Sequence, residues 1–384
     1  MNSVYPARIA VKTIFFLNGF VHANYYSRLP RVQDLYQIGD ATIGIVLLST
    51  ALGAMIAMPF SGWLIIRNGS RKIGLFSVYM YCGLVPFIPI CPGLISLMAV
   101  FFLLGVSSGM LDVAMNAQAV MIEQKWGKPI MTSFHAFFSI GMALGALTAS
   151  LFSKMDTSLF MHLLIITILN LVIITIARFY FLHDKPEKRQ TEEPAFRIPS
   201  ASLVGVGIIA LCSMLGEGAM ADWSTNYMEN FAHASISLAP VGLAAFAFAM
   251  TIGRLFGDSA RLKYGDKKLI VICGIIASAG LGLAILFVNP VMVIVGFFIV
   301  GIGLATIVPI AYSIAGNAKG LPSGVGIAMV TTVGYSGFFF GPPVMGFLSD
   351  LVTLRFAFLM VLILFLVMTF LGARYKQANV TPGA

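Results

Sequence analysis

Long apolar runs separated by short polar turns fill the chain from residue 9 to residue 375. A helix needs about 20 mostly apolar residues to cross a bilayer, and by that rule the pattern predicts twelve spans. Their predicted bounds are 9–30, 41–66, 73–92, 95–122, 131–153, 158–182, 200–228, 237–261, 268–288, 291–316, 324–350 and 354–375. Barrel strands alternate in polarity over about 10 residues, unlike these runs. The pattern therefore predicts an all-α integral membrane protein with 12 transmembrane helices.

The composition agrees with this prediction. The chain is 59% hydrophobic and 10% charged, whereas soluble domains carry about 25% charged residues. Its net charge of +9 comes largely from basic residues in short turns, which is typical of membrane topology and not of nucleic-acid binding. The four cysteines lie in apolar segments without metal-binding spacing, so we expect free thiols and no metal. The first run is too long for a cleaved signal peptide and is interpreted as a retained span.

The distribution of Lys and Arg predicts the orientation. With the N-terminus in the cytoplasm, seventeen Lys and Arg residues fall in cytoplasmic segments, against three (Arg31, Lys154 and Arg355) in outer loops. Cytoplasmic loops carry the excess of positive charge in membrane proteins. We therefore expect both termini to be cytoplasmic.

The chain contains an approximate repeat of about 196 residues. The basic turn Gly69–Lys72 recurs as Gly265–Lys268. Three further glycines recur at the same offset: Gly105 as Gly301, Gly141 as Gly337, and Gly145 as Gly341. A polar, proline-containing stretch at 183–199 falls between the sixth and seventh spans. The prediction is two pseudo-symmetric six-helix bundles, 1–182 and 200–384, joined by a cytoplasmic linker, which is the layout of an alternating-access transporter.

The loop between the second and third spans reads Gly62-Trp63-Leu64-Ile65-Ile66-Arg67-Asn68-Gly69-Ser70-Arg71-Lys72. It resembles the loop signature of the major facilitator superfamily, with Ile66 in place of the family's acidic residue. The resemblance implies a cytoplasmic gate at Arg67, Gly69 and Arg71. In the companion loop, Arg254 and Asp258 are one turn apart and are expected to pair at that gate.

Further stretches resemble the bacterial subgroup of this superfamily that includes YbjJ and MosC. They are Leu111–Asn116, Ser133–Gly141, Glu217–Trp223, Thr332–Phe338 and Gly341–Pro343. The resemblance implies a monomeric, multi-pass protein of the bacterial inner membrane. It also implies a polar, sugar- or polyol-like solute.

Span seven carries two acidic residues, Glu217 and Asp222. An ionisable group inside the membrane is costly, so it faces the bundle interior and usually serves the transport pathway. Glu217 lies about 17 residues into its span, roughly 25 Å deep, which indicates the outer half. Loss of hydration disfavours its charged form, so Glu217 is the main candidate for proton coupling, with Asp222 beside it. A structural carboxyl or a direct substrate ligand is the alternative.

Span one carries Asn18, His22, Tyr25 and Tyr26, with Asn18 and His22 on one helical face. We expect His22 to face Glu217 at a similar depth. Aromatic rings and amides of this kind suit a polyhydroxylated ligand, so these four residues are candidate substrate ligands. Two residues near the outer end of span seven, Trp223 and Asn226, join them. The tyrosines are alternatively interface anchors.

Span four carries Asp112 and Asn116 on one face, and His135 lies near the start of span five. Their depth suggests a second cluster in the inner half, away from the level of Glu217. The cluster is a proton relay of Asp112 and His135, the inner end of the pathway with Asn116 touching substrate, or a structural clamp. In span eleven, Tyr335 is a candidate substrate contact near an expected kink at Pro342-Pro343.

The leading functional hypothesis is a proton-coupled secondary transporter of a small polar solute. The alternative is a drug/proton antiporter, because carboxylates with many Phe and Met side chains suit lipophilic cations. The glycine–proline motif of antiporters is absent from span five, where Gly141 and Gly145 remain without the proline. Asp112 and His135 are the one tempting catalytic pair, and no protease, hydrolase or nucleotide motif lies in a suitable context. We therefore expect no enzyme activity and no cofactor.

Overall fold

In this computed structural model, the described residues are 4–127, 130–183, 201–318 and 323–375, without the side chains at 201, 202, 258, 323–325 and 328. Twelve long helices fill these ranges. We number them α1 (Val4–Tyr26), α2 (Asp40–Asn68), α3 (Ser70–Ile90), α4 (Leu94–Trp126), α5 (Met131–Lys154), α6 (Leu159–Tyr180), α7 (Ala201–Asn230), α8 and α9 (the two arms of Pro240–Leu286), α10 (Pro290–Gly316), α11 (Ser323–Leu351) and α12 (Leu354–Arg374). A short helix, Leu29–Tyr36, follows α1.

The helix bounds agree closely with the twelve predicted spans. In the described ranges, ten helices are long and apolar enough to cross a membrane by length and composition. The other two, α1 and α11, have 23 and 29 residues, or about 34 Å and 43 Å at 1.5 Å per residue, which also suffices. Helix α11 continues through Pro342 and Pro343. The prediction of an all-α protein with 12 transmembrane helices is confirmed.

The repeat is visible at the turns that separate helices. Gly69 ends α2 with φ 83°, and Gly265 separates α8 from α9 with φ 72°. This left-handed region of backbone conformation costs glycine little and other residues more. The two glycines are 196 residues apart in sequence, so the same turn is used once in each half.

Glycines also bring helix backbones together at repeat-related positions. A Cβ at Gly105 of α4 would meet the backbone of Thr50 in α2, and a Cβ at Gly301 of α10 would meet the Phe246 carbonyl in α8. Small residues permit such close approach in membrane helices. Each of these contacts lies inside one half, so both glycines serve the packing of their own six-helix bundle.

The two halves contact each other mainly through two helix pairs, α2 with α11 and α5 with α8. Since successive helices alternate in direction, α1 begins and α12 ends at one face, which we call the terminal face. The opposite face, which carries Leu29–Tyr36, we call the distal face.

The residue that precedes the predicted linker, Leu182, is fixed to the N-terminal half. The buried Gln118 side chain of α4 donates to Ser70 Oγ at 2.8 Å and to the Leu182 carbonyl at 3.0 Å, and it accepts from Leu182 N at 3.2 Å. Residues 184–199 lie outside the described ranges, and the linker at 183–199 with its domain boundaries stays a prediction.

Candidate functional site

A cavity of about 510 Å³ lies between the halves, on the side of the terminal face. The N-terminal half contributes Asp112 and Met115 of α4 with Met131, Thr132, His135 and Phe138 of α5. The other half contributes Met214 and Glu217 of α7 with Arg254, Gly257 and Arg261 of α8. It also contributes Tyr335 and Phe338 of α11 and six residues of α10: Ala305, Thr306, Val308, Pro309, Ile310 and Tyr312. The cavity therefore has a charged centre inside a largely apolar and aromatic wall.

Arg254 lies at the boundary between the two halves within this cavity. Its Nη2 is 3.6 Å from Glu217 Oε2, and its Nη1 donates to Ser139 Oγ of α5 at 2.7 Å. The Arg254 and Glu217 side chains are each 18% exposed. A charge removed from water is stabilised by such partners and becomes costly without them. Glu217 is thus connected, through Arg254, to a contact with the opposite half.

Asp112 is held differently. Its Oδ1 accepts from the Asn116 amide at 3.2 Å, and the same amide donates to the Asp112 carbonyl at 2.8 Å. Among the described residues, Asp112 forms no ion pair within 4.0 Å. The carboxylate therefore faces the cavity with one oxygen held in place by an amide and with no described cation within ion-pair distance.

Asp112, His135 and Glu217 line one cavity, which differs from the two separate levels expected from sequence. A nominal depth counted along the sequence takes each helix as straight and perpendicular to the membrane. Transmembrane helices are tilted by about 20° on average, so residues of different nominal depth on α4 and α7 can line one cavity. The His135 ring also packs edge-on against Phe15 of α1, with centroids 5.2 Å apart.

Arg261 is the second cation of the cavity, and it is held by its own half. Its Nε donates to Asp266 Oδ1 at 2.6 Å, and its Nη2 donates to Asp266 Oδ2 at 3.2 Å and to Ser313 Oγ at 2.7 Å. Bidentate pairing with a carboxylate is among the stronger arrangements for arginine. Arg261 is therefore part of the wall of the cavity.

The four candidate ligands of α1 do not line this cavity. The His22 ring stacks on Tyr26 with centroids 4.0 Å apart, and Tyr25 and Tyr26 are 2% and 5% exposed. Asn18 is 7% exposed, with its amide 3.9 Å from Met115 Sδ. The described ring contacts of His22 are thus with its own helix, and its expected position opposite Glu217 stays a prediction. Tyr25 and Tyr26 are also buried within the protein, whereas an interface anchor would be exposed at the protein surface.

The outer part of α7 is equally buried. Asp222 is 8% exposed, with no hydrogen bond or ion pair to the described residues, and it lies close enough to Tyr25 and Tyr26 to interact electrostatically with both. Trp223 is 1% exposed, and its indole N–H has no partner in the described part of the chain. We call this set of side chains between the cavity and the distal face the buried layer; its members are Asn18, His22, Tyr25 and Tyr26 of α1 with Asp222 and Trp223 of α7.

Beyond this layer, polar contacts join the two halves at the distal face; we call this set the distal seal. Arg31 Nη2 is 2.6 Å from Glu229 Oε2, Asn226 donates to Gln33, and Ser150 Oγ donates to the Ser237 carbonyl at 2.5 Å. These contacts close the distal side of the cavity.

The distal seal also includes the start of α2. Asp350 Oδ1 of α11 accepts from the Asp40 backbone N–H at 3.0 Å, and Ser349 donates to the Asp40 carboxylate. A carboxylate near a helix N-terminus is favoured by the unpaired N–H groups and the helix dipole. Asp350 therefore stabilises an end of a helix that belongs to the other half.

The sequence profile of the Major Facilitator Superfamily matches residues 13–257 and 206–383 of the chain. The chain belongs to the Major Facilitator Superfamily. Among curated proteins, an uncharacterized MFS-type transporter of Yersinia pestis is 30% identical over 351 residues, covering 91% of each chain. The uncharacterized transporter y4wD of Sinorhizobium fredii is 32% identical over 351 residues, covering 90% of this chain and 92% of that protein.

The membrane protein MosC of Rhizobium meliloti is 30% identical over 355 residues, covering 92% of this chain and 86% of MosC. Among solved structures, the nucleoside transporter NupG has a TM-score of 0.78 at 14% identity, covering 98% of this chain and 100% of NupG. A bacterial homologue of the human lysosomal transporter Spinster has a TM-score of 0.72 at 13% identity, covering 97% and 98%. These similarities confirm the fold and the predicted family. The protein is a multi-pass membrane transporter and not an enzyme.

The signature loop of this transporter makes its described contacts within the N-terminal half. The Arg67 guanidinium lies 4.1 Å from the Trp63 ring centroid, and Arg71 donates to the Arg178 carbonyl at 3.0 Å and contacts His183. The Asp258 side chain lies outside the described residues. Arg254 pairs with Glu217, and its expected pairing with Asp258 at a cytoplasmic gate stays a prediction.

Two arrangements were not predicted from the sequence. The first is the Arg254–Glu217 pair, because residues 37 positions apart on different helices have no local spacing rule that pairs them. The second is the Arg31–Glu229 pair, for which the sequence signal was an acid and an arginine near the outer ends of repeat-related helices. Partners between helices follow from helix rotation, which a nearly uniform apolar pattern encodes weakly.

Proposed function

We propose that this transporter moves a small polar solute across the bacterial inner membrane by alternating access, coupled to protons. The terminal face is then cytoplasmic, in agreement with the excess of Lys and Arg in the segments on that side. A cavity toward the terminal face and a closed distal seal correspond to an inward-facing state. Both termini are cytoplasmic in this proposal, and the protein acts as a monomer.

The proposed coupling of protons to solute movement rests on one observation: Arg254 lies between Glu217 of its own half and Ser139 of the opposite half. A proton on Glu217 removes the charge that pairs with Arg254. The guanidinium then depends on Ser139 of the opposite half or on the solute, since a desolvated cation without partners is costly. Proton binding therefore changes the strength of a contact between the two halves. A ligand shifts a conformational equilibrium only through such differential interaction.

The buried layer of α1 and α7 side chains takes part in transport when the protein opens toward the distal face. Asp222 is proposed as a second proton site, because it has neither an ion pair nor a hydrogen bond among the described residues. Asn18, His22, Tyr25, Tyr26, Trp223 and Asn226 are proposed to contact solute once the distal seal opens. In the inward-facing state, the substrate contacts are proposed to be Tyr335 and Asn116. Proton coupling on the cavity side is proposed to involve Asp112 and His135.

The cavity supports a solute of modest size. Ligand sites of about 300–1,000 Å³ take small molecules, with aromatic and apolar walls and a few polar groups, and the present cavity has about 510 Å³. Rings of Phe138, Tyr335 and Phe338 suit the C–H faces of a sugar, a polyol or the ribose of a nucleoside. NupG, with the same fold, transports nucleosides according to its name.

A drug/proton antiporter is the second candidate. Three methionines, Met115, Met131 and Met214, join the aromatic rings in the cavity wall. Flexible thioether side chains adapt to ligands of different shape. The methionine lining is the observation that supports this second candidate, since a drug antiporter must accept ligands of different shape.

The test uses proteoliposomes loaded with the pH-sensitive dye pyranine. Sugars, polyols, nucleosides, amino acids and cationic drugs are added outside one by one, and the internal pH is recorded. We expect at least one solute to move protons through the wild type and not through Glu217→Gln. The matched control Asp156→Asn changes an exposed carboxylate at positive φ, which asparagine tolerates, and should behave as the wild type. Equal proton movement by Glu217→Gln would contradict the role of Glu217.

A further inference from the structure

The charged groups of the cavity are unequally balanced. Glu217 has Arg254 as its partner, and Arg261 has Asp266. Asp112 has an amide beside it but no cation within ion-pair distance among the described residues. One carboxylate of the cavity is therefore left for a cation that the described residues do not supply.

We propose that the transported solute carries an ammonium group that pairs with Asp112. This inference rests on the transport function proposed above and narrows its solute from a polar molecule to an organic ammonium ion. Asp112 Oδ1 accepts from Asn116, while Oδ2 has no hydrogen-bond partner among the described residues. The Asn116 amide fixes the carboxylate, so the second oxygen is positioned to accept an N–H from the ligand.

The surroundings of Asp112 fit such a ligand. Ring faces attract cations, with the strongest effect where water is excluded. Phe138, Tyr335 and Phe338 line the same cavity, and the Tyr335 and Phe338 rings meet edge to face with centroids 5.9 Å apart. An ammonium ion paired with Asp112 can therefore keep its hydrocarbon part against these rings.

An anionic solute fits less well. Both cavity arginines already donate to protein oxygens: Arg254 to Ser139, and Arg261 to Asp266 and Ser313. An anion would have to displace these bonds and would meet the unpaired charge of Asp112. A neutral solute would leave that charge uncompensated unless a proton occupied it.

The experiment compares amines with matched neutral molecules by thermal unfolding of the purified full-length protein. The pairs are D-glucosamine with D-glucose, and tyramine with tyrosol, in which a hydroxyl replaces the amine. At pH 7 we expect an amine to raise the unfolding temperature of the wild type at a concentration at least tenfold lower than its neutral partner.

Three variants assign the effect to the carboxylate. Asp112→Asn keeps an acceptor for Asn116 but removes the charge, and it should lose at least tenfold in amine affinity. Asp112→Glu keeps the charge and should retain the amine preference, while Asp156→Asn, which changes an exposed carboxylate outside the cavity, should match the wild type. If Asp112→Asn does not fold, the amine-to-alcohol comparison on the wild type and on Asp112→Glu decides.

Equal response to both members of a pair, absence of a response to any amine, or unchanged amine affinity in Asp112→Asn would overturn the inference. Uptake into proteoliposomes separates it from the proposed function. A neutral solute carried with protons would overturn ammonium recognition and leave coupled transport intact. An amine that binds through Asp112 but never crosses the membrane would leave ammonium recognition intact and overturn coupled transport of that amine.

Discussion

Gly44 of α2 is the position where a small change should open the distal side. A Cβ at Gly44 would lie 2.8 Å from the Pro342 carbonyl, 3.3 Å from Pro343 Cα and 3.4 Å from Gly346 Cα. All three atoms belong to α11 of the opposite half. The prediction is that Gly44→Val separates α2 from α11 and weakens the distal seal while each half stays folded.

The magnitude follows from the geometry. The first contact is shorter than real Cβ contacts, and its partner is backbone, which cannot turn away. Overpacking of this kind costs about 1–3 kcal/mol. Because the clash exists only where the halves meet, that cost acts on the equilibrium between distal-closed and distal-open states. It corresponds to about a 5–150-fold shift toward the open state.

The assay is a distance measurement by double electron–electron resonance. Spin labels are placed at Asp156→Cys and Val352→Cys, two exposed positions in distal turns of opposite halves, after replacement of Cys82, Cys91, Cys212 and Cys273. Gly44→Val should add a longer-distance population. Gly62→Val is the matched control on the same helix, since a Cβ at Gly62 meets nothing within 4 Å. A folded Gly44→Val protein with an unchanged distribution, or an equal shift in Gly62→Val, would refute the reasoning.

Three further predictions concern other contacts. Glu229→Gln weakens the partly exposed ion pair with Arg31 by about 1 kcal/mol. The same pair of spin labels should therefore show a shift to longer distances that is smaller than that of Gly44→Val. An unchanged distance distribution would count against the distal seal. Gln118→Ala removes the three hydrogen bonds of a buried side chain and should lower the free energy of unfolding by about 1–3 kcal/mol. A thermal unfolding curve that matches that of the exposed variant Gln124→Ala would contradict this. Gly105→Leu forces a side chain into the backbone of α2 and should abolish the monodisperse peak in size-exclusion chromatography, whereas Gly83→Leu, with open space around it, should keep it.

Most of the fold could be predicted from sequence because the membrane imposes a simple rule. A helix must stay apolar for about 20 residues, so runs such as 131–153 and 354–375 predict α5 and α12 to within one residue. The turns at Gly69 and Gly265 were also predictable, since glycine with adjacent basic residues repeats at a fixed offset. The short helix Leu29–Tyr36 was missed, because it is too short and too polar to resemble a span.

The site was predicted less completely. The residue types were informative, and Glu217, Asp112, His135 and Tyr335 all line one cavity. Their partners were not predictable, because pairing depends on how each helix is rotated about its axis. A helix apolar on every side gives little information about rotation, which is why the stacking of His22 on Tyr26 was not predicted.

The central claim is that Glu217 couples solute movement to protons, and two assays on the same proteoliposomes test it most directly. The solute identified in the pyranine screen is measured in counterflow, which needs no driving force, and in uptake driven by a pH gradient. We predict that Glu217→Gln keeps counterflow and loses gradient-driven accumulation. Accumulation by Glu217→Gln that equals the wild type under the same gradient would contradict the claim.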